Sequence, residues 1–349
     1  DFESHYGEKD YTLTKMTTEE YVRDNRFEAL MLAVYEPAED LKGWVPRENI
    51  QEWCDGIDWS ETAIIAHHAH FDGSIFAWHY NVKPKFWFCT LSMANLVHGA
   101  SQRVSLAALA EKYGLEAKTV PYNLFIGKHW HQIDDRTRDL MGSGAIHDCV
   151  LAYQLFELML PHVPEVELQL IDTTIRMFTE PVLEGDLTML REICRHEINA
   201  KAEAKHKLGV TDKELQSTAL FKSLLEQEGI EIEHKKGKET KKNPNGLIPA
   251  FAKTDEFMKE LLECGDPRVE ALCEARLGVK SGLNESRAGR LLRMTERGSL
   301  PVYLRYYGTH TGRSSGGDKM NWQNFPRKDI QIKTINGDTL NASLRKSIL

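Results

Sequence analysis

The pattern of apolar and polar positions changes character along the chain. Within residues 1–160, short apolar runs alternate with amphipathic segments. Ala63–Ala66 has the continuous apolar pattern of a buried strand, whereas Leu106–Tyr113 and Ile146–Leu160 have helical spacing. Gly114 follows the first of these helices, in the position where glycine commonly ends one. Alternating strand and helix signals predict an α/β layer fold for this region.

Residues 161–298 have a different pattern of apolar and polar positions. Leucines recur at helical spacing among many charged residues, and strand signals are few. Three stretches predict helices: Leu187–Lys207, Asp212–Glu228 and Thr254–Glu296. A lysine-rich polar loop, residues 234–244, interrupts them. After Gly298 the pattern returns to strand signals, beginning at Val302-Tyr303-Leu304, so residues 299–349 are predicted to start a further β-containing part.

Composition narrows the class of protein. A length of 349 residues is typical of two or three domains. The six cysteines form no C-x-x-C pair, which disfavours a zinc ribbon or a disulfide scaffold and suits a reducing cytosol. No apolar run is long enough to span a bilayer, and the N-terminus has no signal-peptide pattern. We therefore expect a cytoplasmic protein that does not enter a membrane.

Charge is distributed unevenly. The formal net charge is −8, yet residues 1–160 carry 14 Lys and Arg against 24 Asp and Glu, whereas residues 301–349 carry 8 against 3. An acidic N-terminal region suits a site that collects divalent metals, and a basic C-terminal stretch suits phosphate contact. The chain begins at Asp1 inside a predicted strand and stops at Leu349 in an apolar run. Both ends are therefore expected to be internal to a longer protein.

Four carboxylates form the first group of candidate site residues. Asp1 and Glu3 are two residues apart, so in a strand they project from the same face. Asp72 follows the apolar run at Ala63–Ala66, and Asp148 is expected to open an amphipathic helix. Carboxylates suit hard cations, and such a set can hold two Mg²⁺ or Mn²⁺ ions about 4 Å apart. One ion would activate a water for attack on a phosphodiester, and the other would stabilise the leaving 3′ oxygen.

The order of these acids resembles the DEDD exonucleases. Asp1 and Glu3 match the first motif of that family, Asp72 the second and Asp148 the third. The stretch from Ser105 to Ala110, with Gly114, Leu115 and Lys118, also resembles the helix between the second and third motifs in phage polymerases. The resemblance implies an RNase H-like domain, a mixed sheet with flanking helices, that removes nucleotides from a single-stranded DNA 3′ end.

Three positions depart from the family pattern. A Tyr four residues before the third-motif Asp, or a His five before it, usually orients the attacking water; here these positions are Gly144 and Ser143. The Asn that often precedes the second-motif Asp by four residues is His68. His147 is adjacent to Asp148, but on a helix it points about 100° away. These departures leave open an alternative, a non-catalytic module that grips DNA with a disabled exonuclease site.

A histidine metal site is a second alternative for the same region. His68-x-His70-x-Asp72 matches the start of the H-x-H-x-D-H signature of metallo-β-lactamase-like hydrolases. The signature requires a His after the Asp, where this chain has Gly73. No matching downstream Cys and His set is evident, so the carboxylate interpretation is favoured.

The most specific local pattern lies near the C-terminus. Thr309-His310-Thr311-Gly312-Arg313 and Asn321-Trp322-Gln323-Asn324-Phe325-Pro326-Arg327 resemble the T-x-T-G-R and N-x-Q-N-x-P-R segments of family A DNA polymerases. Gly312 would let the backbone pass close to a duplex. Arg313 would reach minor-groove acceptors that every correct base pair presents. The neutral amides of Asn321, Gln323 and Asn324, with Thr309 and Thr311, would bind DNA without fixing its sequence.

Flanking segments extend this resemblance. Ile248–Asp255, Val279–Ser281 and Glu285–Arg287 resemble thumb and palm-entry segments of phage enzymes, and Ser343–Ile348 resembles the strand entry ahead of the first catalytic Asp, which would lie beyond Leu349. Lys280, Arg287 and the lysines of residues 235–242 are therefore candidate phosphate contacts, which give affinity without sequence preference.

Together the resemblances identify a piece of a phage-type family A DNA polymerase. They imply a 3′–5′ exonuclease domain over residues 1–160, a helical connection and thumb over 161–298, and the start of the palm over 299–349. The expected partners are primer–template DNA and a single-stranded 3′ end, with dNTPs bound only by the full-length protein. Two Mg²⁺ or Mn²⁺ ions are the expected cofactors, the site of action is the cytoplasm of a bacterial host, and the oligomeric state is left open.

Overall fold

The computed structural model describes residues 1–7, 9–120, 122–239, 243–280, 283–326 and 329–349. The strands in these ranges are β1 Phe2–Ser4, β2 Ala29–Glu36, β3 Leu41–Pro46, β4 Ala63–Ala66, β5 Phe86–Cys89, β6 His234–Lys236, β7 Leu247–Pro249, β8 Leu304–Arg305, β9 Ser315–Gly316, β10 Ile330–Lys333 and β11 Thr339–Ala342. The α-helices are α1 Thr18–Val22, α2 Ile50–Asp55, α3 Ala69–His79, α4 Thr90–His98, α5 Leu106–Tyr113, α6 Asp135–Met159, α7 Glu165–Thr179, α8 Leu187–Leu208, α9 Asp212–Gln216, α10 Thr218–Gln227, α11 Glu256–Leu261, α12 Pro267–Lys280 and α13 Leu283–Arg297.

The chain divides into two compact units. The first contains residues 1–184 and 297–325, and the second contains residues 185–296 and 326–349. The chain therefore leaves the first unit after Glu184 and returns to it at Arg297. These limits differ from the predicted boundaries at residues 160 and 298. The helix α7, which the sequence assigned to the helical connection, packs on α3 and β5 within the first unit.

Two sheets lie in the N-terminal part of the first unit. The strands β1, β2 and β3 are antiparallel neighbours in that order, and β4 pairs with β5 in parallel. The sequence predicted one mixed sheet, whereas the described strands form two separate sheets. At β1, the backbone N–H of Phe2 donates a hydrogen bond to the Asp72 carboxylate, at 2.9 Å.

The longest helix of the first unit, α6, begins earlier than predicted. Asp134 caps it by accepting a hydrogen bond from the backbone N–H of Thr137, at 2.9 Å. The helix then crosses β2 and β3. It approaches β3 so closely that a Cβ on Gly142 would lie 2.3 Å from Cδ1 of Trp44. Asp148 therefore lies inside a long helix and not at a helix start, as the sequence suggested.

The core of the first unit lies where α3, α6 and α7 cover the strands. Trp87, Ile75, Leu151 and Leu155 are fully buried there. Burying a side chain of this size contributes about 1.5–3 kcal/mol. The predictions of a strand at Ala63–Ala66 and a helix at Leu106–Tyr113 are confirmed.

The second unit is mostly helical. Its core includes Phe221, Leu272 and the buried guanidinium of Arg276, which lies 4.3 Å from the Phe221 ring centre and donates to the backbone oxygen of Leu215 at 2.6 Å. Part of the predicted lysine-rich loop instead forms the antiparallel pair β6–β7, and its residues 240–242 lie outside the described residues. Within the described ranges, no helix combines the length and apolar character needed to span a bilayer.

Candidate functional site

An acidic cavity of about 320 Å³ opens at the end of β1 in the first unit. Asp1 and Glu3 border it from β1, and Asp72 borders it from the first turn of α3. The side chains of Glu3 and Asp72 are buried. Three phenols, Tyr6, Tyr21 and Tyr122, also line it, together with Ser4, Thr12, His67 and His68. The structure thus brings together acids that are far apart in the sequence.

The fourth predicted acid reaches the same region from the middle of α6. Asp148 is buried, and one of its carboxylate oxygens forms an ion pair with the ammonium of Lys118. Its other oxygen, Oδ1, is buried and has no hydrogen-bond partner among the described residues. Burial raises the pKa of Asp148, although Lys118 opposes this change.

Electrostatics tie Glu3, Asp72 and Asp148 to one another. Burial raises the pKa of Glu3 to about 8; Lys118 opposes the rise, while the nearby carboxylates of Asp148 and Asp72 add to it. A buried carboxyl group beside two others is held in its neutral form unless positive charge is supplied. The positive charge of Lys118 opposes the rise in the pKa of Glu3 but does not offset the effect of burial.

The acids are not arranged as a finished metal centre. In the part of the chain that the structure describes, no three His, Cys, Asp or Glu side chains are placed to hold a metal ion. Lys118 forms an ion pair with Asp148, and the Phe2 N–H donates a hydrogen bond to Oδ1 of Asp72. The donor set nevertheless fits a hard divalent cation, because it consists of carboxylate oxygens and includes the partnerless Oδ1 of Asp148.

The histidines of the alternative metal site have aromatic partners within the first unit, although His68 also lines the acidic cavity. His68 Nε2 lies 2.6 Å from the hydroxyl of Tyr303, and the ring of His70 stacks on Tyr303 at 4.3 Å between centroids. Burial lowers the pKa of His70 to about 3, so its imidazole is neutral near pH 7. These contacts explain the two histidines as packing and hydrogen-bonding groups of the first unit.

Packing explains why position 144 is a glycine. A Cβ at this position would lie 2.9 Å from Cα of Val120, a distance that real Cβ atoms essentially never show. The segment around Val120 therefore crosses α6 where a side chain would otherwise stand. This crossing carries Lys118 to Asp148 and Tyr122 to the cavity.

Sequence reasoning missed Tyr122 as a site residue and noted Lys118 only within the family resemblance. The two residues are four apart in a stretch with neither strand nor helix periodicity. Lys118 Nζ lies 5.1 Å from the centre of the Tyr122 ring. Only the crossing over Gly144 reveals that this pair faces the acids.

The predicted DNA-contacting residues between Thr309 and Asn324 form a polar surface on the first unit. Gly312 has φ +76, and a Cβ there would lie 2.9 Å from the Tyr307 ring, so the turn requires glycine. The hydroxyl of Thr309 accepts a hydrogen bond from the Arg313 N–H, at 3.1 Å, which closes this turn. Thr311, Arg313, Gln323 and Asn324 are exposed, whereas Thr309 and Asn321 are half-buried.

Asn321 organises the following turn. Its side-chain oxygen accepts from the backbone N–H of Gln323 at 3.2 Å, which begins a short 3-10 helix, Trp322–Asn324. The remaining candidate DNA contacts lie in the second unit. Arg287 is half-buried on α13, and the Lys280 side chain lies outside what the structure describes.

Comparison with known proteins gives a likeness at the level of the fold. The sequence matches no protein-family model and no curated protein sequence. Its fold is similar to a solved structure described as the POL domain of Pol1 from M. smegmatis in complex with DNA primer-template and dNTP, with a TM-score of 0.53 and 20% identity. The likeness covers 89% of this chain and 51% of that one, so the chain spans about half the length of the solved structure. The fold is thus a mixed arrangement of small sheets and many helices, similar to a DNA polymerase domain.

Proposed function

We propose that this chain is part of a phage-type family A DNA-directed DNA polymerase and carries a 3′–5′ proofreading exonuclease site. The observation that carries the proposal is the gathering of Asp1, Glu3 and Asp72 around one cavity, with Asp148 electrostatically coupled to Glu3. The fold likeness to a polymerase domain supports the wider assignment.

The reaction is hydrolysis of the terminal phosphodiester of a single DNA strand. Water forms a new O–P bond as the P–O3′ bond breaks, and the proton lost by water is balanced by one taken up at the 3′ oxygen. Two Mg²⁺ or Mn²⁺ ions, when bound, supply an activated water and charge stabilisation for the leaving oxygen. Asp1, Glu3, Asp72 and Asp148 would hold them.

The exposed surface from Thr309 to Asn324 is proposed to contact primer–template DNA. Arg313 supplies a fork of donors for minor-groove acceptors, and the amides of Gln323 and Asn324 supply neutral hydrogen bonds. Binding of dNTPs and chain extension are proposed for the whole protein only.

A direct experiment uses single-stranded DNA labelled at its 5′ end. Incubation with the chain and Mg²⁺ or Mn²⁺ should give a ladder of products shortened from the 3′ end. EDTA and the variant Asp72→Ala should each abolish it. Absence of shortening by the unmodified chain, with metal present, would overturn the exonuclease assignment.

The second candidate function is DNA binding without cleavage. It is favoured by the ion pair that already places the Lys118 ammonium on Asp148. This candidate predicts that the same labelled strand is bound, with salt-dependent affinity, and remains at full length.

A further inference from the structure

Most hydrogen-bonding groups around the acidic cavity are already committed. The hydroxyl of Tyr21 donates to the backbone oxygen of His5 at 2.5 Å and shares a hydrogen bond with the Ser4 hydroxyl at 2.8 Å. The hydroxyl of Tyr6 donates to the backbone oxygen of Tyr122 at 3.3 Å. His67 bonds to Thr90 and His68 to Tyr303. These groups hold the walls of the cavity and are not free to orient a bound water.

Tyr122 is placed differently. Its side chain lines the cavity with Glu3 and Asp72 and is 40% exposed. Lys118 donates a hydrogen bond to its hydroxyl, and among the described residues none accepts one from it. A phenol that faces buried carboxylates and keeps its own O–H available is suited to hold a water in one orientation.

Neighbouring contacts fix the position of this phenol. The Lys118 ammonium lies 5.1 Å from the centre of the Tyr122 ring and also pairs with Asp148. The backbone N–H of Tyr122 donates to the oxygen of Val120 at 3.1 Å. Val120 lies where a side chain at 144 would stand. The absence of a side chain on Gly144 is thus the condition that lets this segment reach the acids.

We propose that Tyr122 is a catalytic residue of the hydrolytic site and that Lys118 positions it. The Tyr122 hydroxyl donates a hydrogen bond to the attacking hydroxide that a bound metal ion would supply, and hydroxide keeps one lone pair for that ion and another aimed at phosphorus. Lys118 holds Tyr122 and Asp148 at one distance from each other. This inference rests on the proposed exonuclease function and adds the group that orients its water.

The test measures steady-state cleavage of 5′-labelled single-stranded DNA by the complete chain with Mn²⁺. The variant Tyr122→Phe keeps the ring and removes only the hydroxyl. We expect its kcat to fall about 10-fold or more, since removing a positioned proton-transfer or orienting group costs about 10²–10⁴-fold in the strongest cases. KM should stay within about twofold, because the ring remains. Tyr113→Phe, at a tyrosine bonded to His98 away from the cavity, should leave both constants unchanged.

Two further variants test how Tyr122 is held. Lys118→Met should lower kcat, and Lys118→Arg should restore part of it by keeping a cation near both partners. Gly144→Ala should lower kcat although its methyl group touches no reacting atom, because Val120 must move. Equal thermal stability of Tyr122→Phe and the unmodified chain would exclude unfolding as the cause.

The outcomes separate the inference from the proposed function. Cleavage by the unmodified chain with full kcat in Tyr122→Phe would overturn the role of Tyr122 and leave the exonuclease assignment standing. A raised KM in Tyr122→Ala with normal kinetics in Tyr122→Phe would also overturn it, since the ring would then only stack on DNA. No cleavage by the unmodified chain would remove both.

Discussion

The backbone N–H of Phe2 donates a hydrogen bond of 2.9 Å to Oδ1 of Asp72, which lies 70 positions further along the chain. Both groups are buried. One oxygen of Asp72 therefore orients β1, the strand that carries Glu3. This contact helps to fix the acid of α3 relative to the acid of β1, so Asp72 has a structural role in addition to its proposed chemical one.

Two substitutions at Asp72 separate these roles. Asp72→Asn keeps an oxygen that can accept from Phe2, so thermal stability should change little while nuclease activity falls at least about 100-fold, as for loss of a catalytic group. Asp72→Ala leaves a buried N–H without a partner and should also lose about 1–3 kcal/mol of unfolding free energy. Urea denaturation of both variants measures the difference. Equal stability of the two variants would contradict the structural role.

Metal binding should depend on Asp148. Mn²⁺ at about 100 times its Kd stabilises a folded protein that binds one ion by about 2.7 kcal/mol, so the melting temperature should rise with Mn²⁺. Asp148→Asn should lose most of this rise. Asp139→Asn, which changes an exposed acid on the same helix, should keep it. An undiminished Mn²⁺ effect in Asp148→Asn would place the ion elsewhere.

Arg313 should contribute to duplex binding through its fork of donors. Arg313→Ala should weaken binding to a primer–template duplex by about 1–3 kcal/mol, the range for a good base-edge contact. Arg103→Ala removes the same charge from another exposed position of the first unit and should have a smaller effect. Fluorescence anisotropy at fixed salt compares the variants. Equal losses in both would reduce Arg313 to a general phosphate contact.

The turn at Gly312 should be intolerant of a side chain. Gly312→Ala meets both a left-handed backbone, which costs about 1–2 kcal/mol, and the Tyr307 ring. Gly114→Ala is a matched control, because Gly114 has a left-handed backbone, with φ +68 and ψ 28, and open space around its Cα. Urea denaturation should therefore show a larger loss for Gly312→Ala than for Gly114→Ala. Equal losses would show that the Tyr307 ring moves aside without lowering the free energy of unfolding.

Glu28 should make the first unit sensitive to acid. Burial would raise the pKa of Glu28, but hydrogen bonds from His129 and from the Trp130 N–H, together with Arg47, hold that pKa below its ordinary value. A carboxyl group whose pKa is lowered by folding stabilises the protein above its unfolded pKa of about 4.3, and this stability is lost as the pH falls below it. Glu28→Gln should therefore flatten the fall in unfolding free energy between pH 5 and pH 3. Glu48→Gln, at an exposed acid, should not.

Local signals predicted some elements well. Leu106–Tyr113 has its cap at Ser105, which accepts from the Ala108 N–H, and ends at Gly114 with φ +68, so every determinant lies within ten residues. The start of α6 was missed because Gly142 and Gly144 weaken the helical pattern. Their presence is explained by contacts with Trp44 and Val120, which are distant in sequence.

The candidate site was predictable only in part for the same reason. The spacing of Asp1 and Glu3 on one strand face can be derived from backbone geometry. The approach of Lys118 to Asp148 depends on how one irregular segment crosses a helix, and no periodicity encodes it. Likewise, the hydrogen bond from Phe2 to Asp72 joins residues 70 positions apart, and no local pattern predicts it.

The first unit is assembled from two stretches of chain, residues 1–184 and 297–325. A ribosome must therefore synthesise the intervening residues 185–296 before the last strands of the first unit and the Thr309–Asn324 surface exist. Leu300, fully buried in the first unit, pairs with Leu183 and becomes available only then. During synthesis, residues 1–184 therefore expose apolar surface until residues 297–325 have been made. Nascent chains depend most on chaperones while such surface is exposed.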